Sequence, residues 1–118
     1  MRRTAAVLTT LICSAGVLTG CGEDAPTSGT TGPETIEITF TGDSVEPNGE
    51  RVEVERGQEI TLVVKADEPG ELHVHTEPEK ELAYDAGTTE LTLTIDEPGV
   101  VDVESHDLEV VVVQLEVS

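Results

Sequence analysis

The sequence is poor in large aromatic residues and in cysteine. Among its 118 residues, Phe40 and Tyr84 are the only two of the Phe, Trp and Tyr class, so a hydrophobic core must be built from valine, leucine and isoleucine. Cysteine occurs only at Cys13 and Cys21. Residues 35–118 can therefore form no disulfide, and they offer no thiolate to a metal ion.

Positive charge is also scarce, with six Lys and Arg against 25 Asp and Glu and a formal net charge of −19. Binding to nucleic acid requires Lys and Arg that displace the counterions of the phosphates, so nucleic acid is excluded as a partner. The same charge disfavours docking of a folded domain on anionic lipid. Two interpretations remain open: a solvated acidic surface, or a field that concentrates cations.

A long hydrophobic run is missing as well. Residues 5–18 are apolar but interrupted by Thr and Ser, and they are shorter than the roughly 20 residues of a membrane-spanning helix. With Arg2 and Arg3 in front, the segment is typical of a secretory signal peptide. Its end, Leu18-Thr19-Gly20-Cys21, resembles the lipobox of bacterial lipoproteins. That resemblance implies cleavage before Cys21, attachment of lipid to it, and localisation at the outer leaflet of the cell membrane, on the extracytoplasmic side.

The alternative is an ordinary signal peptide followed by an incidental cysteine. On the lipobox interpretation the chain divides into three parts: a lipoprotein signal peptide (1–20), a lipid-modified Cys21 with a flexible tether (21–34), and a folded domain (35–118). Residues 22–34 consist mainly of Gly, Pro, Ser, Thr and acidic residues, which have little to bury. A flexible segment of this length reaches about 20 Å.

The hydrophobic pattern of residues 35–118 has a period of two. Ile36, Ile38 and Phe40 alternate with polar residues, and six further runs behave in the same way. Pro-Gly and Asn-Gly turn signals separate the runs. About seven short strands without helices are typical of a small all-β sandwich or barrel.

The sequence Leu72-His73-Val74-His75 contains two of the three histidines. If Leu72 and Val74 face the core, both imidazoles lie on the opposite face with their Cα atoms about 7 Å apart. Two such rings can bind one Cu, Zn or Ni ion with help from carboxylates. His106 would join them if its strand is a neighbour. The alternative is solvated histidines, whose protonated form is favoured by nearby acids.

Residues 60–117 resemble the cupredoxin-like domains of secreted bacterial lipoproteins. The resemblance rests on the Leu-His-Val-His strand after an acidic turn, on the turn at Pro98-Gly99, and on the closing Leu115-Glu116-Val117. It implies a small Greek-key β-sandwich for the folded domain.

The resemblance also has departures. Cupredoxins bind type 1 copper through two His, one Cys and a weak axial Met. His73 matches the first histidine, but Ser105 falls where the cysteine is expected, and Met1 is the only methionine. Type 1 copper is thereby excluded, and the predicted site is a histidine site for Cu(II) or Zn(II), formed by His73, His75 and His106.

No enzyme is predicted. Ser105-His106-Asp107 contains the residues of a catalytic triad, but neighbouring residues on a strand point to opposite faces. Two functions stay open: a membrane-anchored lipoprotein that binds or buffers Cu(II) or Zn(II), and a metal-free interaction or structural module of the envelope. The sequence names no protein partner for either function.

Overall fold

The computed structural model describes residues 32–118, which form two packed β-sheets and, within this range, contain no helix. The predicted signal peptide, the lipobox and most of the tether lie outside the described residues. In the described range no helix has the length and apolar character needed to span a membrane.

Nine strands follow one another along the described chain. Their bounds are β1 Glu34–Thr41, β2 Ser44–Glu46, β3 Glu50–Val54, β4 Ile60–Ala66, β5 Gly70–Val74, β6 Lys80–Tyr84, β7 Gly87–Leu93, β8 Gly99–Ser105 and β9 Val110–Val117.

The strands form a four-stranded sheet with the order β2-β1-β4-β7 and a five-stranded sheet with the order β3-β9-β8-β5-β6. Both sheets are mixed, since β1 pairs with β4 and β3 with β9 in parallel. The predicted all-β sandwich is confirmed, with nine strands instead of about seven. The two strands without a predicted apolar run are β2, which has three residues, and β6, which begins with Lys and Glu at a sheet edge.

The core lies between the two sheets and is aliphatic, as the composition predicts. Phe40 and Tyr84 contribute the two aromatic rings, which stack with centroids 5.1 Å apart. The amide of Gln58 donates a hydrogen bond to the carbonyl of Gly32, which fixes the start of the described range to the turn before β4. Because residues 32–118 hold both sheets and one continuous core, they have what an independently folding domain requires.

The start of β5 depends on a glycine. A Cβ atom on Gly70 would overlap the hydroxyl and ring of Tyr84 and the carboxylate of Asp107. Only glycine lets the backbone pass this close to both side chains. Gly70 is the first of the five residues of β5, and the strand carries His73.

Candidate metal site

His73 is held on the outer face of the five-stranded sheet. Its neighbours Leu72 and Val74 are fully buried, so the alternation of the strand turns His73 outward, where 19% of its side chain is exposed. In the register of the sheet it lies opposite Glu81 on β6 and Glu104 on β8. The histidine is therefore the centre of a row across three strands whose other two members are acidic.

Both ring nitrogens of His73 contact carboxylates. Nε2 lies 2.9 Å from Oε1 of Glu71, and Nδ1 lies 2.9 Å from Oε1 of Glu79. An ionised carboxylate only accepts hydrogen bonds, so both nitrogens donate, and the ring is favoured as imidazolium. The hydrogen bond to Glu71 is the largest cause that raises the pKa of His73 above 6.5; burial opposes the rise, and the contact with Glu79 adds to it.

Glu71, His73 and Glu81 form a cluster that could hold a metal ion. One ligand atom from each lies within 4.8 Å of the others. Two ligands of one Zn(II) ion, at about 2.0–2.2 Å from it, lie at most about 4.4 Å apart. In tetrahedral coordination two such ligands lie about 3.4 Å apart, so the three side chains must move closer by on the order of 1 Å, and exposed Glu81 has the freedom to do so. One nitrogen and two oxygens suit a divalent ion such as Zn(II) or Cu(II).

His106 lies directly after the last residue of β8, beside His73. Its backbone N–H donates to the carbonyl of Glu71 at 3.2 Å, and its ring stacks on that of His73 with centroids 4.8 Å apart and planes 9° apart. The pairing of β5 with β8, on which a contribution of His106 depended, is thus found. Parallel rings direct their lone pairs along parallel planes, so His106 can bind the same ion as His73 only after its ring rotates.

His75 has other partners. Its Nε2 lies 3.0 Å from Oε2 of Glu104, and its Nδ1 lies 3.8 Å from Oε2 of Glu79. It is not a member of the cluster of Glu71, His73 and Glu81. Of the three predicted ligands, His73 and His106 have stacked rings, whereas His75 contacts two carboxylates. Metal ligation by any of the three stays a prediction.

Ser105, at the position where the resemblance expects a cysteine, points to the other face of β8. It is fully buried, and its hydroxyl accepts a hydrogen bond from the backbone N–H of Leu108 at 3.3 Å. It pairs with buried Leu72 in the register between β8 and β5. A hydroxyl therefore stands among core residues here, with no sulfur ligand anywhere in residues 32–118.

Sequence reasoning did not assign Glu79 and Glu81 to the site. These two residues reach the site because a hairpin folds Lys80–Tyr84 back on Gly70–Val74, which sets Glu81 opposite His73. The turn Glu77-Pro78 after His75 indicates such a reversal. The edge strand itself has too few apolar residues to be recognised from its pattern.

Comparison with known proteins finds likeness in structure only. No protein-family model and no curated protein sequence matches the chain. A variant of amicyanin with Cu(I) is 15% identical with a TM-score of 0.54, over 71% of this chain and 82% of its own. A purple cupredoxin from Nitrosopumilus maritimus is 18% identical with a TM-score of 0.52, over 72% of this chain and 99% of its own. Auracyanin A, a "blue" copper protein from Chloroflexus aurantiacus, is 19% identical with a TM-score of 0.51, over 74% and 100%.

Proposed function

We propose that this protein, whose fold is cupredoxin-like, is a lipid-anchored extracytoplasmic lipoprotein that binds or buffers a divalent transition metal, Zn(II) or Cu(II), at Glu71, His73 and Glu81. The observation that carries the proposal is the convergence of these three side chains on the outer face of one sheet. A histidine flanked by two carboxylates combines the ligand types that such ions accept.

The chemistry of binding is an exchange of a proton for an ion. The ring nitrogen on the Glu71 side must lose its proton before it can donate its lone pair to a metal. Glu71 then changes from a hydrogen-bond acceptor to a ligand, and Glu81 closes the third position. Metal affinity therefore increases as His73 deprotonates.

The amicyanin and auracyanin structures name copper, but the ligands here differ from those of type 1 copper. Residues 32–118 contain neither Cys nor Met. Soft sulfur ligands favour Cu(I), whereas nitrogen and oxygen ligands favour Cu(II) and Zn(II). We expect a site that takes up the divalent ion without supporting rapid electron transfer.

Anchoring is supported by sequence alone. The signal-like segment, the lipobox ending in Cys21 and the Gly-, Pro- and Ser-containing residues 22–34 together support a domain tethered at the outer leaflet. Lipid attachment by two or more acyl chains is needed for stable membrane association.

A metal-free envelope module is the second candidate, and one observation favours it. Both nitrogens of His73 already have carboxylate partners, so the cluster is satisfied without an ion. In that case the histidines and acids stabilise the sheet face, and the function lies with a protein partner.

Calorimetric titration of tag-free residues 32–118 with Zn(II) and Cu(II) separates the two candidates. We expect the parent domain to bind one ion with submicromolar affinity. We expect this binding to be lost in His73→Ala and in the double variant Glu71→Gln/Glu81→Gln. Glu90→Gln is the matched control, since it removes one exposed charge from β7 in the other sheet. Weak binding of equal strength in all these proteins would leave the metal-free module as the function.

A further inference from the structure

Glu79 contacts His73 and His75 with different oxygens. It lies on the connection between β5 and β6, and 47% of its side chain is exposed. Oε1 lies 2.9 Å from Nδ1 of His73, which is hydrogen-bond distance, and Oε2 lies 3.8 Å from Nδ1 of His75, which is ion-pair distance only. Glu79 is thus the one carboxylate in the described chain with contacts to both of these rings.

The contact with His73 is at Nδ1, the ring nitrogen that Glu71 does not approach. Glu71 approaches Nε2, so an ion held with Glu71 and Glu81 would bind at Nε2. The Nδ1–H group then stays free to donate to Glu79. A neutral imidazole has one N–H and one lone pair, and the group that accepts from the N–H decides which nitrogen keeps the lone pair.

We propose that Glu79 is the positioning residue of the site: it holds His73 in the Nδ1–H tautomer with the lone pair of Nε2 directed at the ion. This inference rests on the proposed metal-binding function. A carboxylate behind a metal-bound histidine fixes the orientation of the ring and makes the ligand more basic. A charge-assisted hydrogen bond of 2.9 Å is suited to both effects.

His75 contributes to the position of Glu79. Glu104 lies 3.0 Å from Nε2 of His75, which places Nδ1 of the same ring towards the second oxygen of Glu79. Glu79 therefore has a ring nitrogen near each oxygen, at 2.9 Å for His73 and at 3.8 Å for His75. We assign His75 to the support of Glu79, outside the direct contacts of the ion.

The test is Zn(II) titration of tag-free residues 32–118 carrying Glu79→Ala, with Glu77→Ala as the matched control on the same connection. Removal of such an outer carboxylate lowers metal affinity about 10- to 100-fold. We expect that loss for Glu79→Ala and unchanged affinity for Glu77→Ala. Glu79→Gln, which keeps an accepting oxygen without the charge, should fall between them, and circular dichroism verifies that each variant is folded.

A spectroscopic readout separates positioning from simple loss of charge. In ¹⁵N spectra of the Zn(II) complex, zinc should bind Nε2 of His73 with Nδ1 protonated in the parent domain, and it should bind at either ring nitrogen in Glu79→Ala. A parent domain that binds no zinc would overturn the proposed function and this inference together. A parent domain that binds zinc, with Glu79→Ala equal to Glu77→Ala in affinity and spectrum, would overturn this inference alone.

Discussion

At the scale of single residues, His73 is the position where packing and chemistry meet. The burial of Leu72 and Val74 determines which way its side chain points, and two carboxylates then determine its protonation. The charged form of the ring is stabilised in the absence of metal, while metal binding requires the neutral form. Proton and ion therefore compete for the same nitrogen.

This competition predicts a pH dependence of stability in the metal-free domain. Because the folded-state pKa of His73 is raised above 6.5, the stabilisation is fully present below about pH 6.5 and is lost as pH rises through the raised pKa. Urea unfolding with a chelator, at several values from about pH 5.5 to 9, should show a steeper loss of stability in the parent than in His73→Ala. The charged or titratable groups around the ring are Glu71, Glu79, Glu81, Glu104 and His106.

The comparison is restricted to pH values above 5, so that the difference between the two proteins reports the titration range of histidine. Parallel curves, that is, a constant difference in stability between the two proteins, would reflect lost packing alone and would contradict a raised pKa for His73.

At the scale of the element, β8 shows how a strand can serve the core and the site at once. Val103 is fully buried and Val100 is 50% exposed, although both are valines of one strand. Glu104 directs its carboxylate outward to His75, and the register with β9 shifts between Val103 and Glu104. A shift of this kind, such as a β-bulge, changes the direction of nearby side chains. Here it lies directly before Glu104, which is opposite His73 in the sheet.

The two valines predict unequal effects of the same substitution. Val103→Ala should lower the free energy of unfolding by about 2 kcal/mol, because it removes buried methyl groups and leaves a cavity. Val100→Ala should change it by less than about 0.5 kcal/mol. Urea denaturation of both variants measures the difference. Equal losses would mean that β8 does not alternate between core and solvent in solution.

At the scale of the whole molecule, the proposed arrangement is an acidic sandwich on a short tether. The excess of acidic residues disfavours contact of the domain with anionic lipid, so in this proposal the membrane contact is assigned to lipid on Cys21. The cluster of Glu71, His73 and Glu81 that is proposed to bind metal lies on β5 and β6, in the sheet that does not contain β1.

Anchoring predicts that Cys21→Ser in the full chain, produced in a lipoprotein-forming bacterium, abolishes labelling by palmitate. The parent should be labelled and recovered with membranes. Cys13→Ser is the matched control and should keep the label, since its residue belongs to the part that is cleaved off. Label that persists in Cys21→Ser, or disappears in Cys13→Ser, would contradict the lipobox interpretation.

The hydrophobic pattern of the sequence predicts seven of the nine strands, because a period of two is a local property that burial on one face imposes on neighbouring residues. It also predicts the outward direction of His73 and His75, and it argues against a type 1 copper site, since residues 32–118 contain neither Cys nor Met. These conclusions need no knowledge of which strands are neighbours. The edge strands β2 and β6 were not predicted, because β2 has only three residues and β6 begins with Lys and Glu, so neither has an apolar run to recognise.

Tertiary structure alone decided which side chains share a site. Strands β5 and β8 pair although about 30 residues separate them along the chain, and this pairing stacks His106 on His73. The hairpin of β5 and β6 adds Glu81 and Glu79, and it leaves His75 with carboxylates. Such contacts depend on sheet order and register, which are set by the packing of the whole core and by no local pattern.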